Sequence, residues 1–298
     1  MDKARKSRRH GGARAARLVV AGLCASLASA LGSTPAASAP ILLEDRSALL
    51  RFDPASTTGI ARWTLDGVTH LRSQSLWVRV GDAGPESPLA ELVRSEPLTS
   101  DTNASGRADT LFQVFSDPLA RFDVELRLSL LGAPFAGPTA GTSADLATQI
   151  ALVNRSAEPL ALNLFQFTDV DLFGSFSDDV LELSGSGAPN TARITDASGL
   201  GLYESVWTPR PDAVEAALFD QSLASLEDDA STLLSGATRA TGDVTLTVAW
   251  QAQLPAGGAL LLSQDQSIRV APIPEPRLAW LLALAGLALL GRSSGESA

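Results

Sequence analysis

Chemistry in this chain falls first to its carboxylates. Asp169-Val170-Asp171 places two of them on one face of a strand end, and Asp178-Asp179 follows seven residues later. A loop that returned Asp178 or Asp179 to that face would gather hard oxygen donors, the set that holds calcium. The spacing is not that of an EF-hand loop, and four acids together also describe a solvated turn in an acidic chain. No cofactor is expected beyond the calcium that this first reading leaves open.

Other chemistries find few carriers. Past residue 10 the one histidine is His70, in Gly67-Val68-Thr69-His70, and it reads as a surface or turn residue. A Ser-His-Asp arrangement would depend wholly on it, and no GxSxG elbow is present. The one cysteine, Cys24, lies in the N-terminal apolar run, and no lysine occurs beyond residue 39. Thiol and amine nucleophiles, disulfides and cysteine-ligated metals are therefore absent from the body. Walker, Rossmann and HExxH patterns are missing too. A glycosidase needs only two suitably spaced carboxylates, so abundance of acids neither supports nor removes it. Trp63, Trp77, Trp207, Trp250 and Tyr203 are the aromatics that a sugar-binding face would use, although core packing is the default for such residues.

The elements that must position these groups read as strands. Residues 121–131 alternate strictly, with Phe122, Val124, Leu126, Leu128 and Leu130 on one side and Asp123, Glu125, Arg127 and Ser129 on the other. Similar runs occupy 75–80, 111–115, 146–153, 160–168, 180–183, 202–206, 244–251 and 260–270, broken by Gly, Pro, Asn and Asp. About ten such strands predict an all-β antiparallel β-sandwich. Residues 212–226 instead space Val214, Ala217, Leu218, Leu223 and Leu226 helically after Pro211, which predicts one inserted helix. Residues 40–271 are long enough for this to be a single domain.

The flanks differ from the body. Residues 1–17 are basic, an apolar run covers 18–31, and Ala37-Ser38-Ala39 has small-x-small form, the order of a secretory signal peptide over 1–39. Cleavage after Ala39, Ser38 or Ala30 stays open, because Pro40 is a poor first mature residue. Arg8-Arg9 raises a twin-arginine route and Cys24 a lipidated one; the residues after the former and Leu23 before the latter fit neither well. Residues 40–298 hold 16 basic and 32 acidic residues. A surface so acidic disfavours nucleic acid as a partner.

At the other end, Pro274-Glu275-Pro276 precedes an apolar run over 278–291 and then Arg292. This arrangement resembles the PEP-CTERM sorting signal. The resemblance implies a substrate of exosortase, a membrane enzyme, in a Gram-negative bacterium that exports polysaccharide. It marks 272–298 as a sorting tail in which Pro274, Glu275, Pro276 and Arg292 are read by that enzyme. Signal peptidase would be a second partner and extracellular polysaccharide a third. Fourteen helical residues reach about 21 Å, short of a hydrocarbon core of about 30 Å, which suits brief retention by a short transmembrane helix. The family usually ends in a basic cluster, whereas this chain has one arginine and a polar end; a plain C-terminal anchor is the alternative. The body resembles one found in exported proteins of that type, through Trp63–Val68, Leu76–Gly81, Asn163–Leu172 and Gly242–Thr245 leading into Trp250. That likeness implies no particular chemistry. The expectation is a non-enzymatic protein exported across the inner membrane, held briefly there, then displayed on the cell surface or released. A carbohydrate-binding module is the alternative, and a glycan hydrolase the third reading.

Overall fold

The computed structural model describes residues 39–134, 141–219 and 221–272. By contact density the chain divides into Met1–Ala36 and Ala37–Ala298, and all described residues belong to the second unit. All but the last residue of the segment 1–39 expected as a signal peptide, and Pro274, Glu275, Pro276 and Arg292 expected as a sorting motif, lie outside the described residues. Among the described residues no helix is long and apolar enough to cross a membrane.

Among the described residues, eighteen strands and one short α-helix follow in order. The first group is β1 (Ile41–Asp45), β2 (Ala48–Asp53), β3 (Gly59–Leu65), β4 (Val68–Val80), β5 (Ser87–Pro88), β6 (Val93–Arg94) and β7 (Leu98–Ser100). The second is β8 (Thr110–Ser116), β9 (Phe122–Gly132), β10 (Thr142–Asn154), β11 (Leu160–Val170), β12 (Asp179–Ser184), β13 (Thr191–Thr195) and β14 (Gly201–Thr208). Last come β15 (Ala213–Leu218), α1 (Gln221–Leu226), β16 (Arg239–Gly242), β17 (Val244–Leu254) and β18 (Ala259–Val270).

The strands form two antiparallel sheets. The smaller runs β1-β2-β3-β4-β11-β17-β15 with β5 beside β4. The larger runs β16-β12-β13-β14-β18-β10-β9-β8-β6 with β7 beside β8. Their inner faces share one apolar core that includes Leu50, Trp63, Leu126, Leu128, Leu164, Leu246 and Ile268. The alternation in 121–131 is realised in β9, whose even-numbered apolar residues are buried while their neighbours are not. The nine runs expected as strands all lie in strands.

The smaller sheet is buried on both faces where β4, β11 and β17 meet. Trp77, Phe165, Phe167 and Ala249 project outward, and the segment after β15 covers them, with Leu226 of α1 at its centre. This is why β11 is buried without a break from Leu162 to Val170, its polar residues Asn163, Gln166, Thr168 and Asp169 included. It also explains why Trp77 and Val78, on opposite faces, are both buried.

The helix expected over 212–226 forms only in its second half. Residues Ala213–Leu218 pair along β17 from Ala213↔Ala249 to Leu218↔Val244. An open sheet edge offers Val214 and Ala216 both core contacts and a hydrogen-bond ladder, and this outweighs local helical preference.

A polar layer crosses the middle of the core. Gln266 of β18 donates through Nε2 to Gln74 Oε1 of β4 at 2.7 Å and to Tyr203 Oη at 2.8 Å. Gln166 of β11 donates to Gln264 Oε1 at 2.9 Å, and Gln264 donates to Ser205 Oγ at 2.8 Å. These bonds tie the sheets together and fix their relative register, since a slip would strand buried amides.

Candidate metal centre

Strand β11 ends by carrying Asp169 onto the outer face of the smaller sheet, opposite Thr245 of β17. Asp171 follows after a register shift at 169/170, and Asp243 precedes β17. One carboxylate oxygen from each of Asp169, Asp171 and Asp243 lies within 4.8 Å of the others. Asp169 and Asp171 are buried and Asp243 is partly so.

Asp171 is anchored at its backbone, where its N–H donates to the His70 carbonyl at 3.0 Å. Its Oδ2 pairs with the half-exposed Arg72 guanidinium. Its Oδ1 is buried without a hydrogen-bond partner. Burial pushes the Asp171 carboxyl up, Arg72 pulls it down, and the neighbouring Asp243 charge raises it again. Three carboxylates this close repel one another, and a hard cation would neutralise that repulsion.

The expected ligands are brought together only in part. Asp169 and Asp171 meet, but Asp178 and Asp179 stand outside the group. Asp178 accepts from Ser175 Oγ at 2.5 Å. Asp179 opens β12, and its Oδ2 accepts the Leu172 N–H at 3.2 Å. Its other oxygen is buried and unpartnered. Burial, with the charges of Asp178, Asp171 and Asp196 added, pushes the Asp179 carboxyl up to about 7. The third member, Asp243, is separated by more than seventy residues from Asp169, and only the β11–β17 pairing places it there.

His70 is not a surface residue, as its sequence context suggested, but is 1% exposed. The short turn Leu172–Gly174 folds over it, and Nδ1 accepts the Phe173 N–H at 3.3 Å. Burial lowers its pKa to about 4, against an opposing pull from Asp196. A neutral imidazole whose Nδ1 already accepts a backbone N–H is poorly suited to serve as a general base there.

The sugar-binding face of exposed aromatics is also corrected. Trp63, Trp77, Trp207, Trp250 and Tyr203 are all at most 3% exposed. Two sheets plus the α1 cover give a chain without disulfides enough depth to bury every one of them. What the outer face of the larger sheet offers instead is a groove of about 450 Å³. The strand registers Ala147↔Asp265↔Val206 and Asp145↔Ser267↔Glu204 define its floor, with small Ala147 and Ser267 between Asp145, Asp265 and Glu204. Arg269 completes one wall.

No protein-family model matches the sequence, and no curated protein matches it. Among solved structures, a bacterial glucoamylase complexed with acarbose is similar at TM-score 0.51 and 7% identity. The likeness covers 81% of this chain but 32% of that one, so the chain spans about a third of the glucoamylase. The Slr1438 protein from Synechocystis is similar at TM-score 0.52 and 10% identity, over 78% of this chain and 96% of that one. A galactose mutarotase-like protein from Lactobacillus casei aligns at TM-score 0.42 and 10% identity, over 77% and 100%. At these identities the first two likenesses establish a shared sandwich fold and nothing of activity, and the third carries no argument.

Proposed function

We propose that the chain is a non-enzymatic exported protein, sorted through its PEP-CTERM-like tail and displayed on the cell surface or released into an extracellular polysaccharide matrix. The observation that carries this reading is where the fold stops. Strand β18 ends at Val270, the Ala271 N–H closes on the Leu200 carbonyl at 2.7 Å, and Pro274-Glu275-Pro276 begins three residues later. A sorting enzyme would thus meet its motif just beyond a finished domain. Calcium at Asp169, Asp171 and Asp243 belongs to this reading, since millimolar calcium outside cells fills even weak sites. Mass spectrometry of both termini, on protein from the native envelope and medium, tests it. A mature C-terminus near residues 274–277 supports sorting; an intact Ala298 in the membrane fraction defeats it in favour of a plain anchor.

A carbohydrate-binding module is the second reading, and the groove over Ala147 and Ser267 favours it. Carboxylates and an arginine around a small-residue floor suit the hydroxyls of a glycan chain. A glycan array should then show binding that Asp265→Asn removes. The glycan-hydrolase reading would require turnover that is lost when a single carboxylate of this groove is replaced.

A further inference from the structure

The end of the sandwich at which β18 finishes carries two exposed apolar tips. Phe173 is 36% exposed, Phe176 58%, and Leu218 and Phe219 43% each. Phe173 sits against Gly201, where an added Cβ would lie 2.8 Å from its ring. Gly201 is the register partner of Val270, the last residue of β18. The second pair is tied to the same end through Asp243. The Phe219 N–H donates to the Asp243 carbonyl at 2.8 Å, and Leu218 packs 3.5 Å from the Cβ position of Gly242. Two apolar tips therefore flank the carboxylate group, one strand away from the point of exit.

Backbone conformation adds a second reason. Phe173 holds φ at 57°, a left-handed value that costs a non-glycine residue about 1–2 kcal/mol. Its N–H is secured by His70 Nδ1, so a buried imidazole sustains a conformation that leaves the ring partly in water. A strained residue that exposes an aromatic ring is best explained by something that covers the ring.

We infer that this end docks on a lipid bilayer, with Phe173, Phe176, Leu218 and Phe219 seated at the level of the headgroups. The inference rests on the reading of the tail as membrane-held. Val270, whose register partner Gly201 touches Phe173, is followed eight residues later in the sequence by the apolar run 278–291, so insertion of that run would bring these tips to the surface. Phenylalanine and leucine tips would enter about 5–10 Å, into the boundary between headgroups and chains. The adjoining carboxylates disfavour an anionic surface, which makes a zwitterionic bilayer the preferred face.

The test uses the mature chain from Pro40, which has no cysteine and lacks the apolar run 18–31, reconstituted into phosphatidylcholine vesicles. Phe176→Cys carries a polarity-sensitive dye, and Ala256→Cys, in the turn that begins β18 at the opposite end, is the control. Docking predicts a blue shift at position 176 and severalfold stronger quenching by brominated lipid there than at 256. Both should weaken when Phe173 and Phe219 are replaced by serine. Protein that floats with the vesicles while its dye at 176 stays in water overturns the docking but leaves the tail reading intact. Protein that does not float overturns both. A spectral shift that follows protein concentration rather than lipid means that a second copy covers the tips, and also overturns the inference.

Discussion

Polar groups are buried in two places, and they are treated in opposite ways. Across the middle of the sandwich, Gln74, Gln166, Gln264 and Gln266 are neutral, and all but one of their carbonyl oxygens find a donor; Gln166 Oε1 is the exception. At the exit end, Asp171 and Asp179 are ionisable, and each keeps one buried oxygen without a hydrogen-bond partner. A satisfied neutral network rigidifies a core. Unsatisfied buried carboxylates destabilise the apo fold and leave it open to a cation or a proton. The first region reads as architecture, the second as a site.

The sharpest way to break the contrast is to unsettle the quiet region. Gln266→Leu removes the partner of both Gln74 Oε1 and Tyr203 Oη in a fully buried layer. The expected loss is about 3–4 kcal/mol in urea unfolding, since two buried polar groups are left unmet. Replacing all three together, Gln74→Met, Gln266→Met and Tyr203→Phe, should recover most of it. If the triple variant is as unstable as the single one, the layer matters for packing and not for its hydrogen bonds.

The carboxylate end should answer to pH where the glutamine layer cannot. His70 has its pKa lowered to about 4, so its contribution is complete above its unfolded value near 6.5 and is lost as pH falls towards 4. Asp179 is raised to about 7, so its contribution is complete below its unfolded value near 3.8 and is lost as pH rises towards 7. The two slopes oppose each other between about pH 4 and 6.5, and in calcium-free buffer the wild type should be nearly flat there. Asp179→Asn should uncover stability that rises with pH, and His70→Gln stability that falls with pH. Each change should be on the order of 2 kcal/mol across the window. Parallel curves for both variants would mean that neither group titrates in the folded state as its surroundings imply.

The sandwich was legible because its central strands alternate or run apolar over six residues or more. What escaped were short strands at the edges, such as β5, β6 and β16, whose pairing depends on a neighbour and not on their own pattern. Residues 213–218 escaped for the same reason: helical spacing of Val214, Ala217 and Leu218 competes with a ladder that exists only once β17 is in place. At the site, local spacing was enough for Asp169 and Asp171. Asp178 and Asp179, also expected there, lie outside that group and accept hydrogen bonds from Ser175 and Leu172 of their own loop. Asp243 needed the register of two strands distant in sequence. The phrase Gly242-Asp243, a glycine and an acid just before a strand that pairs with β11, was the one available signal. His70 gave no sign of its burial, because what covers it is the turn at Leu172–Gly174, a hundred residues on.

The smallest expected effect is the one that decides whether the exit end is a site at all. A weak calcium site, with dissociation constant near millimolar, should stabilise the fold by about 1 kcal/mol at a few millimolar calcium. Asp243→Asn should abolish that gain while Asp178→Asn keeps it, because among the described residues it is Asp243, not Asp178, that brings an oxygen within 4.8 Å of Asp169 and Asp171. Arg72 sharpens the test, since its guanidinium already occupies Asp171 Oδ2 and competes for the same charge. Arg72→Gln should therefore lower stability without calcium and strengthen the response to it, moving the midpoint of a calcium titration to lower concentration. Magnesium, which demands near-octahedral geometry and sheds its water reluctantly, should do less at equal concentration. A calcium response of equal size in wild type and Asp243→Asn would place the ion elsewhere. The three carboxylates would then be a charge cluster that Arg72 meets at Asp171.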